Sequence, residues 1–294
     1  MLSSGAARVF WLRALKTHLN EGITALQDLI DDDTISVCES NSLRGVVEPG
    51  LFIMVQSHQA KNCKASAKEV AEYVDRTVLS DCERFDIDLK DIELVDNRWA
   101  LKMDATAIIM AGGRSRRMGQ DKTILEINGT PVIKYVFDQL RLHFDQILVS
   151  SSNMAKYSFL GVEVVPDEVA NKGPLVGIAS ALRISRNDTN FVIACDIPEV
   201  DIGLVRQLVK KSRNFDAVMP QTGPSQYEPL FAVYKKSTLA AIDESIISGN
   251  YKILDPLKKC KVNYVKLPRA EQIKNLNTMN DYLQFVKEKS GVAI

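Results

Sequence analysis

Histidine is scarce in this chain, and its three copies (His18, His58, His143) stand far apart. That leaves no Ser-His-Asp order for nucleophilic catalysis and no histidine cluster for a transition metal. The five cysteines (Cys38, Cys63, Cys82, Cys195, Cys260) are odd in number and form no C-x-x-C pair. They exclude a disulfide scaffold and a clustered zinc site, and they fit a reducing, cytoplasmic compartment. An excess of one charge is also missing, because 37 Lys plus Arg balance 37 Asp plus Glu. No global basic field therefore exists to hold nucleic acid or an anionic membrane. The longest apolar runs, such as Gly50 to Val55 and Ala105 to Ala111, fall far short of the ~20 residues that cross a bilayer. Neither G-x-x-x-x-G-K-[ST] nor G-x-G-x-x-G occurs, which counts against a P-loop ATPase and a dinucleotide dehydrogenase.

What is present is the composition of an ordinary globular chain, 46% hydrophobic and 25% charged over 294 residues. At roughly 150 residues per domain this suggests two domains, placed here at 1–103 and 104–294. The first 20 residues hold Arg8, Arg13 and Lys16 but no acid, a bias shared with organellar transit segments. The recurrence of Val9, Leu12, Leu15, Leu19 and Ile23 instead predicts an amphipathic helix running on to Leu29. Thr34 to Cys38 and Leu51 to Val55 read as strands. Ser66 with Glu69 forms a capping-box pattern for a helix that carries Val70, Val74, Thr77 and Val78 on one face. Asp91 to Leu101 reads as a hairpin.

From Asp104 onward strands and helices alternate more clearly. Strands are expected at Thr106–Met110, Leu125–Ile127, Gln146–Ser150, Val162–Val165, Asn190–Cys195 and Asp216–Met219. Thr130 and Pro131 read as the N-cap and first turn of a helix to about Leu142. Further helices are expected at Pro174–Ile184 and Ile202–Ser212. This succession predicts an α/β fold, a doubly wound and mostly parallel sheet beside a smaller N-terminal α/β domain. Ligands of such sheets sit beyond the carboxyl ends of the strands, so the residues after Met110, Ser150, Val165 and Cys195 are the ones to search.

The stretch Met110 to Lys122, M-A-G-G-R-S-R-R-M-G-Q-D-K, is the most informative. Gly112 and Gly113 let backbone N–H groups approach an anion closely. Arg114, Arg116, Arg117 and Lys122 concentrate positive charge over a strand end, which suits a triphosphate. Asp196 follows a buried strand, where a carboxylate is well placed for Mg²⁺.

This loop resembles the signature of nucleotidyltransferases. Together with Val165-Pro166-Asp167, Gly173-Pro174-Leu175-Val176-Gly177, Ala194-Cys195-Asp196-Ile197-Pro198 and Asn275-Leu276-Asn277-Thr278, it resembles the molybdenum cofactor guanylyltransferases of the MobA type. The likeness covers about Thr106 to Val286. It implies a Rossmann-like nucleotidyltransferase that moves GMP from GTP to the terminal phosphate of molybdenum-molybdopterin. The implied nucleotide-binding residues are Met110, Ala111, Gly112, Gly113, Lys122, Ser150, Asp167, Gly173 and Asp196. Lys122, Arg117 and Asp196 are the implied catalytic residues, and Asp196 with Asn277 the implied Mg²⁺ ligands. Ser150 departs from the family, which commonly carries asparagine there. Tyr227, Glu228 and Pro229 resemble the family's acceptor-side segment.

In the first half, Ile35 to Met54 and the following A-S-A-K-E-V-A-E-Y-V-D-R resemble the later part of P-loop accessory proteins of molybdenum cofactor enzymes, without the P-loop. That implies a structural or docking domain for molybdoenzymes or other cofactor-biosynthesis proteins. A cytidylyltransferase for the same cofactor, a sugar-phosphate nucleotidyltransferase and a non-enzymatic cofactor carrier remain as alternatives at this level.

Overall fold

The structure is a computed structural model that describes all residues except 1, 32–33, 58–63, 82, 96, 113–124, 170–171, 268–272 and 291–294. His58, Cys63, Cys82 and the loop bearing Gly113, Arg117 and Lys122 thus lie outside the described residues. Two compact units are present, residues 1–101 and 102–294.

In the first unit, β1 (Ile53–Ser57) and β2 (Arg76–Ser80) pair in parallel. Met54, Ala67 and Val70 form a small core between them and α2 (Ala65–Glu69). β3 (Ile92–Val95) and β4 (Arg98–Leu101) form the expected antiparallel hairpin, turned by Asn97 at φ 58°. Three expectations fail here. The N-terminal helix is confined to α1 (Leu19–Gln27), where Ile23 is the buried residue. Val9, Leu12 and Leu15 precede it in irregular, exposed chain. Their periodicity alone does not make a helix, because a short amphipathic stretch needs a surface to pack on. Thr34 to Cys38 is not a strand, and Val37 is 85% exposed. The helix expected from Ser66 to Val78 stops at Glu69, its capping box unformed. The β-branched Thr77 and Val78 join β2 instead, because pairing with β1 satisfies their backbone and buries Val78.

The second unit is built on a sheet ordered β12-β11-β13-β10-β5-β8-β9, with β14 also on β11. Its members are β5 (Thr106–Met110), β8 (Gln146–Ser150), β9 (Glu163–Val165), β10 (Thr189–Ala194), β11 (Ala217–Gly223), β12 (Gln226–Tyr227), β13 (Phe231–Lys235) and β14 (Val262–Lys266). β9, β8, β5 and β10 are parallel neighbours. β13 runs against β10 and β11, so β11 and the parallel β14 point the same way as β10. Every residue of β5 and β8 is buried, as expected of strands covered on both faces. Ala107 and Ile109 face α3 (Val132–Leu140) and α5 (Ile202–Lys211). Ile108 and Met110 face α4 (Pro174–Ile184) and α6 (Leu239–Ile247). Burying Ile108, Ile109 and Met110 stabilises the sheet by about 1.5–3 kcal/mol each.

One expectation in this unit is corrected. Thr130 is not the N-cap: with Pro131 it forms the two-residue strand β7 against β6 (Glu126–Ile127), and the cap falls one residue later, on Pro131. Asn128 and Gly129 sit at φ 50° and 79°, the backbone of a tight hairpin turn that an Asn-Gly pair favours. α3 starts only at Val132. Asp201 caps α5 as its type suggests, accepting from the Leu204 N–H at 2.9 Å.

Candidate active site

Chain order and sheet order part company at β5. β8 and β9 lie on one side of it and β10 on the other, so the crevice between the carboxyl ends of β5 and β10 is a topological switch point. Ala194, Met110, Ser150 and Val165 stand in one transverse row across the four strands. The ladder continues one residue further: Cys195 N–H donates to Met110 O (3.1 Å), Ala111 N–H to Ser150 O (2.9 Å) and Ser151 N–H to Val165 O (3.0 Å). Everything that follows these residues is therefore launched from one rigid edge. The loop containing Gly112 begins on one side of the crevice and Asp196 on the other.

Ala111, at the base of that loop, is held from two directions. Besides its N–H bond to β8, its carbonyl accepts from the phenol of Tyr157, a fully buried side chain. A Cβ at Gly112 would meet the Ser150 carbonyl oxygen at an ordinary contact distance of 4.0 Å.

Asp167 lies two residues past β9 and meets Ser150, whose Oγ donates to Oδ1 at 3.4 Å. Partial burial pushes the Asp167 carboxyl above its ordinary value, and the Ser150 hydrogen bond opposes that rise. The chain just after it is pinned, since Glu168 N–H donates to Ser180 Oγ at 3.1 Å and Glu168 pairs with Arg183 at 3.0 Å. Gly173, at φ 94°, lets the chain turn into α4. Gly177 in the first turn of α4 closes the group. A Cβ there would collide with Ser150 Oγ and lie 2.8 Å from Asp167 Oδ1 and 2.9 Å from Met110 Cε. Met110 contributes through its packing there, with its side chain nearly buried.

Asp196 is half-buried, and its carbonyl accepts from Leu276 N–H at 2.8 Å. This bond brings the Asn275-Leu276-Asn277 segment against the end of β10. Asn275 hydrogen-bonds the Glu228 carboxylate, and Asn277 is exposed. Burial raises the Glu228 carboxyl above its usual range, the Asn275 bond lowers it and the Asp196 charge raises it again. Gln139 on α3 steadies the chain beyond Asp196: its amide donates to Pro198 O at 2.7 Å and accepts from Val200 N–H at 3.1 Å. Thr278 and Asp281 form a reciprocal capping pair at the start of α8 (Met279–Ser290).

The described residues thus bring Met110, Ala111, Gly112, Ser150, Asp167 and Asp196 to one edge, with Gly173 and Gly177 on the adjoining helix start. Sequence reasoning missed Tyr157 and Gln139, which act through contacts 46 and 59 residues away and leave no local signal. Among the described residues no group of three or more His, Cys, Asp or Glu is arranged to hold a metal. The Asp196 and Glu228 carboxylates, with the Asn275 amide, are nevertheless hard oxygen donors of the kind Mg²⁺ takes one or two at a time. Among the described residues no helix is long and apolar enough to cross a membrane.

Residues 107–261 match the family described as MobA-like NTP transferase domain. A probable molybdenum cofactor guanylyltransferase of Pelotomaculum thermopropionicum is 35% identical over 189 residues, covering 62% of this chain and 92% of that protein. One of Carboxydothermus hydrogenoformans is 34% identical over 190 residues, covering 62% of this chain and 95% of that protein. The crystal structure of molybdopterin-guanine dinucleotide biosynthesis protein A from Archaeoglobus fulgidus superposes with a TM-score of 0.56 at 24% identity. It covers 64% of this chain and 100% of that one, a likeness of fold.

Proposed function

The chain belongs to the MobA-like NTP transferase family, and from that premise we propose a reaction and a set of residue roles. The enzyme transfers GMP from GTP to the terminal phosphate of molybdenum-molybdopterin, releasing pyrophosphate; its relatives carry that guanylyltransferase name. The observation that carries the assignment to this edge is the switch point between β5 and β10. It sets the Gly112 loop and Asp196 on either side of one crevice, with the Asp167–Ser150–Gly177 notch beside it.

The acceptor phosphate is already an anion at neutral pH, so no protein nucleophile is needed and positioning plus charge neutralisation suffice. Backbone N–H groups of Gly112 and Gly113 cradle the triphosphate. Lys122 and Arg117 stabilise the charge that develops on the departing pyrophosphate. Asp167 accepts from guanine N1–H and N2–H₂ together, a pair of donors that cytosine does not offer. Ser150, in place of the family's asparagine, acts on Asp167. Mg²⁺ bound by Asp196 would neutralise phosphate oxygens at the reacting phosphorus. Glu228 and Asn275 stand on the same side of the site, a placement that supports Asn275 rather than the exposed Asn277 as the nearer amide.

Protein partners, molybdoenzymes or other cofactor-biosynthesis proteins, are assigned to the first unit, which the family match leaves uncovered. A cytoplasmic location suits the scattered cysteines. The test is pyrophosphate release with Mg²⁺ and either GTP or CTP, with and without molybdenum-molybdopterin. Release only with GTP and acceptor supports the reading; release with CTP moves the chain to cytidylyl transfer. No release from protein that still binds GTP makes it a carrier or an enzyme that waits for a partner.

A further inference from the structure

The chain that follows Asp167 is fastened to α6, an element that the proposed reaction does not use. α6 follows β13, which runs against β10. It therefore starts at the sheet edge opposite Asp196 and returns toward the reacting edge. α4 runs the other way, leaving that edge at Gly173. The two helices share the core that holds Ile178, Leu182 and Ile242. The end of α6 is thereby delivered beside the start of α4.

Two contacts make the fastening. Next to Asp167, Glu168 pairs with Arg183 at 3.0 Å, and Arg183 also pairs with Asp243 on α6. Just before α4, the Lys172 ammonium sits over the ring of Tyr251, 5.2 Å from its centre. Lys172 is exposed and makes no ion pair among the described residues, so the aromatic face is what places it. It immediately precedes Gly173, whose φ of 94° turns the chain into α4. Lys172 thus governs the entry to the helix whose first turn sets Gly177 against Ser150 and Asp167. The turn that carries Tyr251 is itself held. Gly249 leaves α6 at φ 78°, and Asn250 N–H donates to Ser245 O at 2.9 Å. Ser245 Oγ donates to Asn250 O at 2.8 Å, and Asn250 Nδ2 donates to Asp255 Oδ2 at 3.0 Å.

We propose that Tyr251 and Lys172 are positioning residues for base selection, holding the Asp167 carboxylate where it meets guanine N1–H and N2–H₂ together. Neither touches the nucleotide. Without the ring, Lys172 is released to solvent and the entry to α4 loses its outer support. The carboxylate then meets the two donors less squarely, and the second donor is the one that distinguishes guanine from hypoxanthine.

This rests on the guanylyl-transfer reading, in which Asp167 reads guanine, and its test separates the two. Calorimetric titration of the full chain with GTP and with ITP, both in Mg²⁺, gives the affinity ratio. ITP keeps N1–H and lacks the 2-amino group, so the ratio reports the N2–H₂ contact. The parent should prefer GTP. That preference should fall about threefold in Tyr251→Ala and in Lys172→Ala, the scale of one exposed cation–π contact. Tyr251→Phe and Lys172→Arg should retain it, because a ring face and a cation remain. In an Asp167→Asn chain, Tyr251→Ala should change the ratio no further, since both act through one carboxylate. With a parent that prefers GTP, an unchanged ratio in Tyr251→Ala, whether both affinities fall alike or neither falls, overturns the positioning role alone. A parent chain that binds GTP and ITP equally overturns the guanine reading of Asp167 and the positioning role together.

Discussion

The phenol of Tyr157 donates a 3.2 Å hydrogen bond to the carbonyl of Ala111, 46 residues earlier in the chain. Ala111 is thereby tied to Ser150 through its N–H and to Tyr157 through its carbonyl, at the point where the chain leaves β5 for the Gly112 loop. Tyr157→Phe would leave that carbonyl without its phenol donor. The expected result is a loss of about 1–3 kcal/mol in urea unfolding, with a higher KM for GTP and little change in kcat.

Gly177→Ala should separate binding from stability. Alanine is favoured over glycine in a helix by about 1 kcal/mol, yet its Cβ would crowd Ser150 Oγ, Asp167 Oδ1 and Met110 Cε. Calorimetric titration should show GTP affinity reduced by roughly tenfold or more, about 1.4 kcal/mol, in a protein whose melting temperature falls little. Restoring affinity with Ser150→Gly in the same chain would identify the collision as the cause.

Asp167 should be a source of instability that the site tolerates for function. Burial raises its folded pKa above the unfolded value, so the folded state holds a proton that the unfolded state releases in the window just above the ordinary aspartate range. The resulting cost is absent at pH below the unfolded pKa and fully present above the folded one. Asp167→Asn should therefore melt above the parent at pH 7, with the gap closing as pH falls toward the unfolded value. Its affinity for GTP should fall at neutral pH, and the parent's affinity should weaken on acidification as the carboxylate protonates.

Asp196→Asn keeps the shape of the side chain and removes its charge. Turnover should drop about 10²–10³-fold, as for other lost preorganised electrostatic contacts, with unfolding unchanged. Lys122→Ala should cost on the order of 2–4 kcal/mol of transition-state stabilisation on the same argument. Wild-type turnover in a folded Asp196→Asn protein would remove this edge as the reacting centre.

Asp201→Ala serves as the structural control. It deletes the cap that receives Leu204 N–H and should cost about 0.5–2 kcal/mol of stability, leaving kcat and both KM values intact.

The strands that were easiest to read were those buried on both faces. Thr106–Met110 and Gln146–Ser150 are the strands expected, each with an apolar centre, and Pro174–Ile184 is the helix expected, opened by Gly-Pro. Where burial is shallow the same kind of reading failed. The valines after Ser66 fit a helix period and a short strand equally well, and pairing with β1 decided for the strand. The Asn128-Gly129 pair carried a hairpin signal that the helix-cap reading of Thr130 passed over. β14 carries no local strand signal, because Val262–Lys266 is only partly buried and its partner β11 lies 45 residues earlier.

Local chemistry alone determined which residues could carry function. Carboxylates, glycines and cations placed just after buried strands reach the carboxyl edge of a parallel sheet in any doubly wound fold, because strand direction is set before packing. Tertiary structure alone decided which of them meet. The Ser150–Asp167 bond, the absent side chain at Gly177, the Asn275–Glu228 contact and the joining of Gln221 to Lys266 each depend on strand order. Strand order is fixed by which apolar faces bury together across the whole sheet, a sum over distant contacts that no local window of residues contains.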